Sequence, residues 1–448
     1  MDFRMRDRIF TVLFCIFAFI YPFLIKPWGT VYYYMAIKVY YVIGFSIVVC
    51  LFLWFSHFRR KKGNIKIQKF GYVEWILLVF VLLVGYSTIQ SIQISLVGYL
   101  TEYYGILVIC SYASLFFVAS YFSNSNSQHK FIVFFVISAS ICALYGIAQH
   151  YEIKLLPQDF IYGYTYKNRS FSFFDNPDYF GAYLVLAIIM ILVLYLTAKK
   201  GIVEIIYLFM FCLLGAALLG SETRSAWLGT VTGLAILSLF IIKKRSDLLK
   251  KILLVMAFIC FIFVSMNVFT QYDYVARVKS IAEDANKIMT NVDSENAGAS
   301  RWYIWKIIMP IIKEHFWAGS GPNTFHIVFH PGIDPDFMKY LSYGPIYDAN
   351  NDYLHIALTL GVPALIIYLF FLGFVLFKGL RTAAAVSGDQ QIFAYGYVAA
   401  ISGYLVQAVF NISVVSVAPY FWILLGFACS QMSVYEVIPF RKGNQFAK

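Results

Sequence analysis

Long apolar runs alternate with short polar segments along the whole chain. A helix needs about 20 mostly apolar residues to cross a membrane, and the runs recur at about that length. The pattern predicts about twelve membrane-spanning segments, at residues 9–25, 35–56, 72–89, 105–122, 131–149, 179–198, 202–219, 226–242, 252–270, 353–377, 392–410 and 418–436. The predicted fold is therefore all-α, a polytopic bundle of transmembrane helices.

Composition supports the membrane interpretation and explains the excess of positive charge. The chain is 61% hydrophobic and only 13% charged, with a net charge of +12. Of its 35 lysines and arginines, 22 lie in the terminal segments and in every second short loop. The positive-inside rule makes those segments cytoplasmic, so both termini are expected inside and the other loops extracytoplasmic. Because topology accounts for the charge, no nucleic acid partner is expected.

One extracytoplasmic segment is much longer than the others. Residues 271–352 contain no predicted span, and a loop of that length is usually functional or disordered. The segment is rich in Trp, Tyr, Phe and Pro, which favours an ordered helical loop, and a helix from Arg301 has the composition of an interfacial helix. The chain is expected to divide into spans 1–9 at residues 1–270, the large extracytoplasmic loop at 271–352, and spans 10–12 at 353–448.

Three arginines lie next to predicted helix ends on the outer face: Arg169, Arg224 and Arg301. Arg224 lies near the N-terminus of the helix that spans 226–242, where free backbone N–H groups and the helix dipole favour an anion. A guanidinium adds a planar fork that binds phosphate with two hydrogen bonds. The three arginines therefore predict a phosphate-bearing, lipid-linked substrate at the outer membrane boundary, with Glu222 orienting Arg224. For each arginine alone, a membrane anchor or local ion pair is the alternative.

Motifs around these arginines occur in a specific order. They are NRSFSFFDNPDYFGAYL, SETRSAWLG, SRWYIWK, GSGPNTF and DANNDYLHIALTLGVPA. In order and spacing they resemble the O-antigen ligase and O-antigen polymerase family. The first motif resembles that family's Arg…Asn-Pro-Asn segment, with Asp178 where asparagine is common. YGIAQH and QAVFN are also similar to family segments, so the resemblance extends from about Ile141 to Asn411.

The resemblance implies a glycosyltransferase of the GT-C type. Its donor would be a glycan on undecaprenyl diphosphate at the outer leaflet of the bacterial cytoplasmic membrane. Its acceptor would be a hydroxyl of a glycan, a lipid or a wall polymer, and the active site would be extracytoplasmic. Arg224 and Arg301 match arginines that bind the diphosphate in the family. No cofactor or metal is expected, because the arginines would stabilise the leaving group.

The expected acceptor site departs from the family at one position. The family usually has a His-Asn pair about ten residues before a glycine, whereas this chain has Asn350 and Asn351 before Gly361. An amide cannot act as a general base, whereas an imidazole can. Asp348 is the favoured base because it lies on the loop near the expected acceptor. Alternatively, His355 in the next helix is the base, although a packed helical histidine is favoured there, or Asn350 only orients the acceptor.

Two other classes of function fit parts of the pattern. A transporter or flippase for a lipid-linked or anionic substrate would also bind phosphate. Such proteins place ionisable residues near the middle of the membrane, whereas these spans carry almost no charge. A structural or sensor protein would tolerate loss of the three arginines. Within the enzyme class, the sequence leaves ligase and polymerase both open, and the missing histidine slightly disfavours a standard lipopolysaccharide ligase.

Overall fold

The structure is a computed structural model of the 448-residue chain. It describes residues 3–25, 33–58, 71–98, 104–120, 125–156, 166, 169–269, 274–330, 332, 334, 336–341 and 346–433. Helices dominate these residues, and no β-strand occurs among them. The basic clusters at 59–69 and 441–448, on which part of the predicted orientation rests, lie outside the described residues.

The described residues include eighteen α-helices. In chain order they are α1 (Phe3–Ile20), α2 (Tyr33–Phe58), α3 (Tyr72–Thr88), α4 (Ile92–Ser95), α5 (Ile106–Ser120), α6 (Ser125–His150), α7 (Pro177–Thr197), α8 (Ile202–Ser221), α9 (Arg224–Lys244), α10 (Leu249–Phe269), α11 (Tyr274–Thr290), α12 (Arg301–Glu314), α13 (Phe325–Val328), α14 (Phe337–Tyr340), α15 (Asp352–Leu360), α16 (Val362–Ala385), α17 (Gly388–Gln407) and α18 (Ala418–Ser433).

Each of the twelve predicted spans falls on a helix. Among the described residues, eight helical segments are long and apolar enough to cross a membrane, namely those of α2, α3, α6, α7, α8, α9, α10 and α16. The apolar helices α5 and α18 are shorter. The remaining two predicted spans correspond to α1 and α17. The prediction of an all-α polytopic bundle is confirmed.

One predicted span is broken in two. Residues 353–377 were expected to form a single helix, but α15 ends at Leu360 and α16 begins at Val362. The break lies at Gly361, whose φ of +93° is rarely adopted by other residues. A Cβ atom there would lie 2.8 Å from the Trp317 carbonyl oxygen. With nine residues, α15 is too short to cross a membrane, so the spanning segment starts at α16.

Helix α7 lies at the centre of the bundle. Its most apolar stretch of 18 residues is 94% buried. Helix α7 packs against α6, α8, α9 and α17. Helices α9 and α17 approach closely, since a Cβ on Gly229 would lie 2.5 Å from the Gly403 carbonyl oxygen. Small residues allow such contacts between membrane helices. The packing fixes the first turn of α7, which carries Asp178.

Loops predicted on the same side of the membrane meet at the same end of the bundle. At one end, the Ser170 amide donates to the Gly220 carbonyl at 2.8 Å, and Asn411 donates to the Asp178 carbonyl at 3.1 Å. At the other end, Thr197 and Asp389 line a common cavity with the start of α6. We call the first the arginine end and the second the opposite end. Which of them faces the cytoplasm stays a prediction from charge.

The long segment between α10 and α15 is ordered and helical where it is described. Its amphipathic helix α12 has a proline inside, Pro310, and packs on a second apolar core next to the main bundle. That core includes Ile308, Phe325, Phe329 and Leu358, so it joins the segment to α15. The segment therefore rests on the arginine end of the bundle.

Candidate active site

The first turn of α7 presents a carboxylate shared by two arginines. Asn176 caps the helix by accepting a hydrogen bond from the Asp178 amide at 2.8 Å. Arg169 and Arg301 each place an Nη2 close to the Asp178 carboxylate, at 2.9 Å from Oδ1 and 3.0 Å from Oδ2. The Thr223 hydroxyl also donates to Oδ1, at 3.1 Å. Asp178 thus connects three chain segments that are far apart in sequence.

Arg224 is held by α11. Its Nη1 lies 2.6 Å from Asp284 Oδ2 and donates to the Ser280 hydroxyl at 3.0 Å, and both partners are on α11. The two partners are four residues apart, so they lie on one face of the helix. The contact fixes α11 against the start of α9.

The expected pairing of Glu222 with Arg224 needs a correction. Glu222 follows the last residue of α8 with a left-handed φ of 52°, and its carbonyl oxygen accepts from Arg277 Nη2 at 3.2 Å. Burial raises the pKa of the Glu222 carboxyl, while Arg277 and Arg169 lower it. The described contacts of Arg224 are with Asp284 and Ser280 of α11 instead.

A cavity of about 230 Å³ lies between α9, α11 and α12 and has Arg224 and Arg301 in its wall. Trp302, Trp305 and Phe410 contribute aromatic surface to the same wall. We call it the arginine cavity. Asp284 also lines it, so an anion that enters meets both arginines and the carboxylate that pairs with one of them.

Two guanidinium groups at this end keep unused donors. The Nε atoms of Arg277 and Arg301 are buried, and neither has a hydrogen-bond acceptor among the described residues. A guanidinium has five N–H donors, and a buried donor without an acceptor is unfavourable. The arrangement is therefore suited to an anionic ligand with several oxygen atoms.

Asp348 lies on a loop beside the arginine cavity. Its Oδ1 accepts from the Asn350 amide at 2.6 Å, and Asn350 has a left-handed φ of 46°. Trp305 Nε1 donates to the Ala349 carbonyl at 2.9 Å, which joins this loop to the cavity wall. Burial raises the pKa of the Asp348 carboxyl above its ordinary value, although Arg301 lowers it. A raised pKa makes the carboxylate a better proton acceptor.

The other residues expected near the acceptor have local contacts. Asn351 caps α15 by accepting from the Leu354 amide at 3.0 Å, which is a structural role. The His355 ring stacks on Phe325 at 5.6 Å between centroids and meets the Tyr104 ring edge to face at 5.7 Å. Burial lowers the pKa of His355 to about 4. Its environment is that of a packed aromatic core.

The structure brings together most of the predicted site. Arg169 and Arg301 share Asp178, Arg224 lines the same cavity as Arg301, and Asp348 lies within electrostatic range of Arg301. Among the described residues, no group of three His, Cys, Asp or Glu side chains is arranged to hold a metal ion.

Sequence reasoning missed Lys38. This lysine is fully buried in α2, donates from Nζ to the Phe173 carbonyl at 2.5 Å, and lies 4.9 Å from the centre of the Phe174 ring. It thereby supports the loop that leads to Asp178. A single lysine within an apolar run was the available signal, because such residues in a span are usually functional.

Sequence reasoning also missed two charged residues of α11. Arg277 and Asp284 lie seven residues apart, with Ser280 between them, so all three share one stripe of the helix. The amphipathic pattern of α11 indicates that these three residues share one face. The partners Glu222 and Arg224, however, are more than 50 residues away in sequence.

The fold and this site define a polytopic helical membrane protein with an arginine-lined cavity at one end of its bundle. Residues 208–369 match the family model described as O-antigen ligase, so the predicted resemblance to this family is confirmed. The matched segment contains Arg224, Arg301 and Asp348, whereas Arg169 and Asp178 precede it. No curated protein matches the chain. The family match supports glycan transfer as the general function.

Proposed function

We propose that this protein is a membrane glycosyltransferase that transfers or polymerises glycan from an undecaprenyl diphosphate-linked donor onto an acceptor hydroxyl at the outer face of the cytoplasmic membrane. The observation that carries the proposal is the arginine cavity, with Arg224 and Arg301 in one wall and a donor of Arg301 left unused among the described residues. Arginines bind phosphate oxygens with charge-assisted hydrogen bonds. The O-antigen ligase match supports the glycan as the transferred group.

A second cavity supports a lipid-linked donor. It has a volume of about 300 Å³ and is lined almost entirely by apolar side chains of α8, α9, α10 and α11. We call it the apolar cavity. It shares Leu228 and Ile281 with the arginine cavity, so the two are neighbours. Val231 lines it and is exposed on the outside of the bundle, where lipid would lie. A polyprenyl chain here would lead directly to a diphosphate beside the arginines.

The proposed reaction needs one displacement. The acceptor oxygen forms a bond to the anomeric carbon, the bond from that carbon to the diphosphate oxygen breaks, and its electron pair leaves with the lipid diphosphate. Asp348 takes the proton of the acceptor hydroxyl. Arg224 and Arg301 stabilise the charge that develops on the leaving oxygen, the kind of preorganised electrostatic stabilisation that usually contributes most to catalysis.

A transporter or flippase is the alternative function. Proteins of that class place ionisable groups near the middle of the membrane. Here Arg224, Arg301 and Asp178 lie in the first turns of α9, α12 and α7, and Lys38, the buried lysine of α2, lies near the start of its span. This distribution favours chemistry at the membrane boundary over passage through the bundle.

Replacement of Arg224 by alanine separates the two functions in cells. A glycosyltransferase defect leaves the lipid-linked glycan unconsumed in the outer leaflet, whereas a flippase defect leaves it in the inner leaflet. Arg245→Ala is the matched control, because Arg245 is paired with Asp247 at the opposite end. Accumulation of inner-leaflet glycan in Arg224→Ala cells would contradict the proposal.

The size of the accumulated glycan distinguishes ligase from polymerase. In cells without the protein, single repeat units on undecaprenyl diphosphate indicate a polymerase. Full-length chains on the same lipid indicate a ligase that hands a finished chain to a lipid or wall polymer. An unchanged pool of lipid-linked glycan would contradict both.

A further inference from the structure

Arg277 lies in the first turn of α11, next to the predicted arginines but outside the motifs that identified them. Its Nη2 donates to the carbonyl oxygen of Glu222, only two residues before Arg224. Burial lowers the pKa of Arg277 most, Arg169 and Arg224 lower it further, and the Glu222 and Asp178 carboxylates raise it. A fourth guanidinium therefore belongs to the same cluster.

The partners of Arg277 differ from those of the other three. Arg169, Arg224 and Arg301 each have a carboxylate oxygen within 3.0 Å. The hydrogen bond described for Arg277 goes to a backbone carbonyl, and its buried Nε has no acceptor among the described residues. A partly buried guanidinium with an unused donor is expected where an anion binds, because a buried donor without an acceptor is unfavourable.

The position of Arg277 along α11 indicates which part of a lipid diphosphate it would contact. Its neighbour Val278 lines the apolar cavity, Ile281 lines both cavities, and Asp284 lines the arginine cavity. Arg277 is thus at the end of α11 nearer the apolar cavity. Arg301 is the arginine that acts on the pKa of Asp348, the proposed base. The reacting sugar belongs on the side of Arg301 and the lipid on the side of Arg277.

We infer that Arg277 binds the lipid-proximal phosphate of the donor, while Arg224 and Arg301 bind the phosphate that carries the glycan. This inference rests on the proposed function. The lipid-proximal phosphate has the same charge before and during the reaction, so its ligand contributes equally to the ground state and transition state. Loss of such a contact raises KM and leaves kcat nearly unchanged.

Steady-state kinetics in proteoliposomes test the inference. The variants are Arg277→Gln and, as the matched control, Lys279→Gln, since Lys279 is an exposed cation two residues further along α11. For Arg277→Gln we expect the donor KM to rise about tenfold with kcat within about threefold of wild type. We expect Lys279→Gln to behave like wild type. Arg277→Lys, which keeps the charge but loses the planar fork, should be intermediate.

Undecaprenyl monophosphate is the specific probe, because it has the lipid-proximal phosphate and lacks the second one. It should inhibit wild type competitively, and its inhibition constant should rise about tenfold in Arg277→Gln. A lower kcat with unchanged KM and unchanged inhibition would overturn the inference and leave the proposed function standing. If wild-type protein releases no lipid diphosphate, the proposed function itself fails.

Discussion

The two ends of the bundle use arginine in different ways. At the opposite end, Arg245 pairs with Asp247, two residues away, through two hydrogen bonds at 2.9 and 2.8 Å, and Asp247 is largely exposed. At the arginine end, Arg301 pairs with Asp178, 123 residues away in sequence. A local exposed pair contributes little to stability or to geometry. Pairs that join distant segments fix several loops around a cavity.

The sequence shows the position of each arginine but not its partner. Both arginines flank a helix, so each one alone fits the pattern of a membrane anchor. The partner that each arginine binds depends on how the helices pack. The predictions below act on the arginine end and use the opposite end as a control, from the largest expected effect to the smallest.

Replacement of Asp348 by asparagine should have the largest effect. If Asp348 takes the acceptor proton, Asp348→Asn should lower transfer about 10²- to 10⁴-fold while donor binding persists. The rate of glycan transfer in proteoliposomes measures the loss. Asp336→Asn is the control, because Asp336 is an exposed carboxylate of the same long segment. Wild-type transfer by Asp348→Asn would show that Asp348 is not the base. His355 as the base, or Asn350 as a group that only orients the acceptor, would then be the alternatives.

Replacement of Arg301 by glutamine should come next. We expect kcat to fall about 10²- to 10³-fold, because a donor to the developing negative charge is lost. The donor KM should change less than kcat, in contrast to Arg277→Gln. Arg245→Gln, the same change at the opposite end, should keep wild-type kinetics. If Arg301→Gln and Arg245→Gln changed the kinetics equally, Arg301 would have no specific role in transfer.

Replacement of Asp178 tests whether its shared carboxylate stabilises the arginine end. Asp178→Asn leaves Arg169 and Arg301 without their common carboxylate, so we expect a loss of about 1–3 kcal/mol in the free energy of unfolding and a lower Tm in detergent. Asp247→Asn removes the partner of Arg245 and should leave Tm unchanged. If Asp178→Asn matches Asp247→Asn in Tm, the shared carboxylate does not stabilise the arginine end.

The pH dependence of transfer should give the smallest effect. Asp348 acts as a base only when deprotonated, so transfer is lost as the pH falls through its pKa. Because burial raises that pKa, the acid limb should lie above the ordinary range of an aspartate. The kcat/KM profile of wild-type protein in proteoliposomes measures it. In Asp348→Asn, the residual kcat/KM should no longer fall at low pH in this way. If it falls at the same pH as in wild type, the titrating group is not Asp348.

The bundle could be predicted from the sequence because each span depends on its own residues. Twenty apolar residues form a helix in a membrane whatever their neighbours are, so each of the twelve predicted segments falls on helix, although the one at 353–377 is divided between α15 and α16. The break at Gly361 was missed, because an apolar pattern continues across it and only its positive φ ends the helix. The same limit explains why α15 was predicted as part of a span.

The candidate site could be predicted only in part. Arg224 and Arg301 stand out because charges are rare in this chain and because they lie in motifs that resemble a known family. Their partners Asp284 and Asp178 are 60 and 123 residues away, and nothing local in the sequence connects them. The role of Lys38 depends on its contact with Phe173, which is 135 residues away in sequence.

The most direct test of the account is the fate of the donor in proteoliposomes that contain only purified protein, undecaprenyl diphosphate-linked glycan and acceptor. Release of undecaprenyl diphosphate and movement of the glycan lipid between leaflets are measured in the same sample. We expect one lipid diphosphate released for each glycan transferred, and loss of this release in Arg224→Ala but not in Arg245→Ala. Movement between leaflets with no release would contradict the account and identify a flippase.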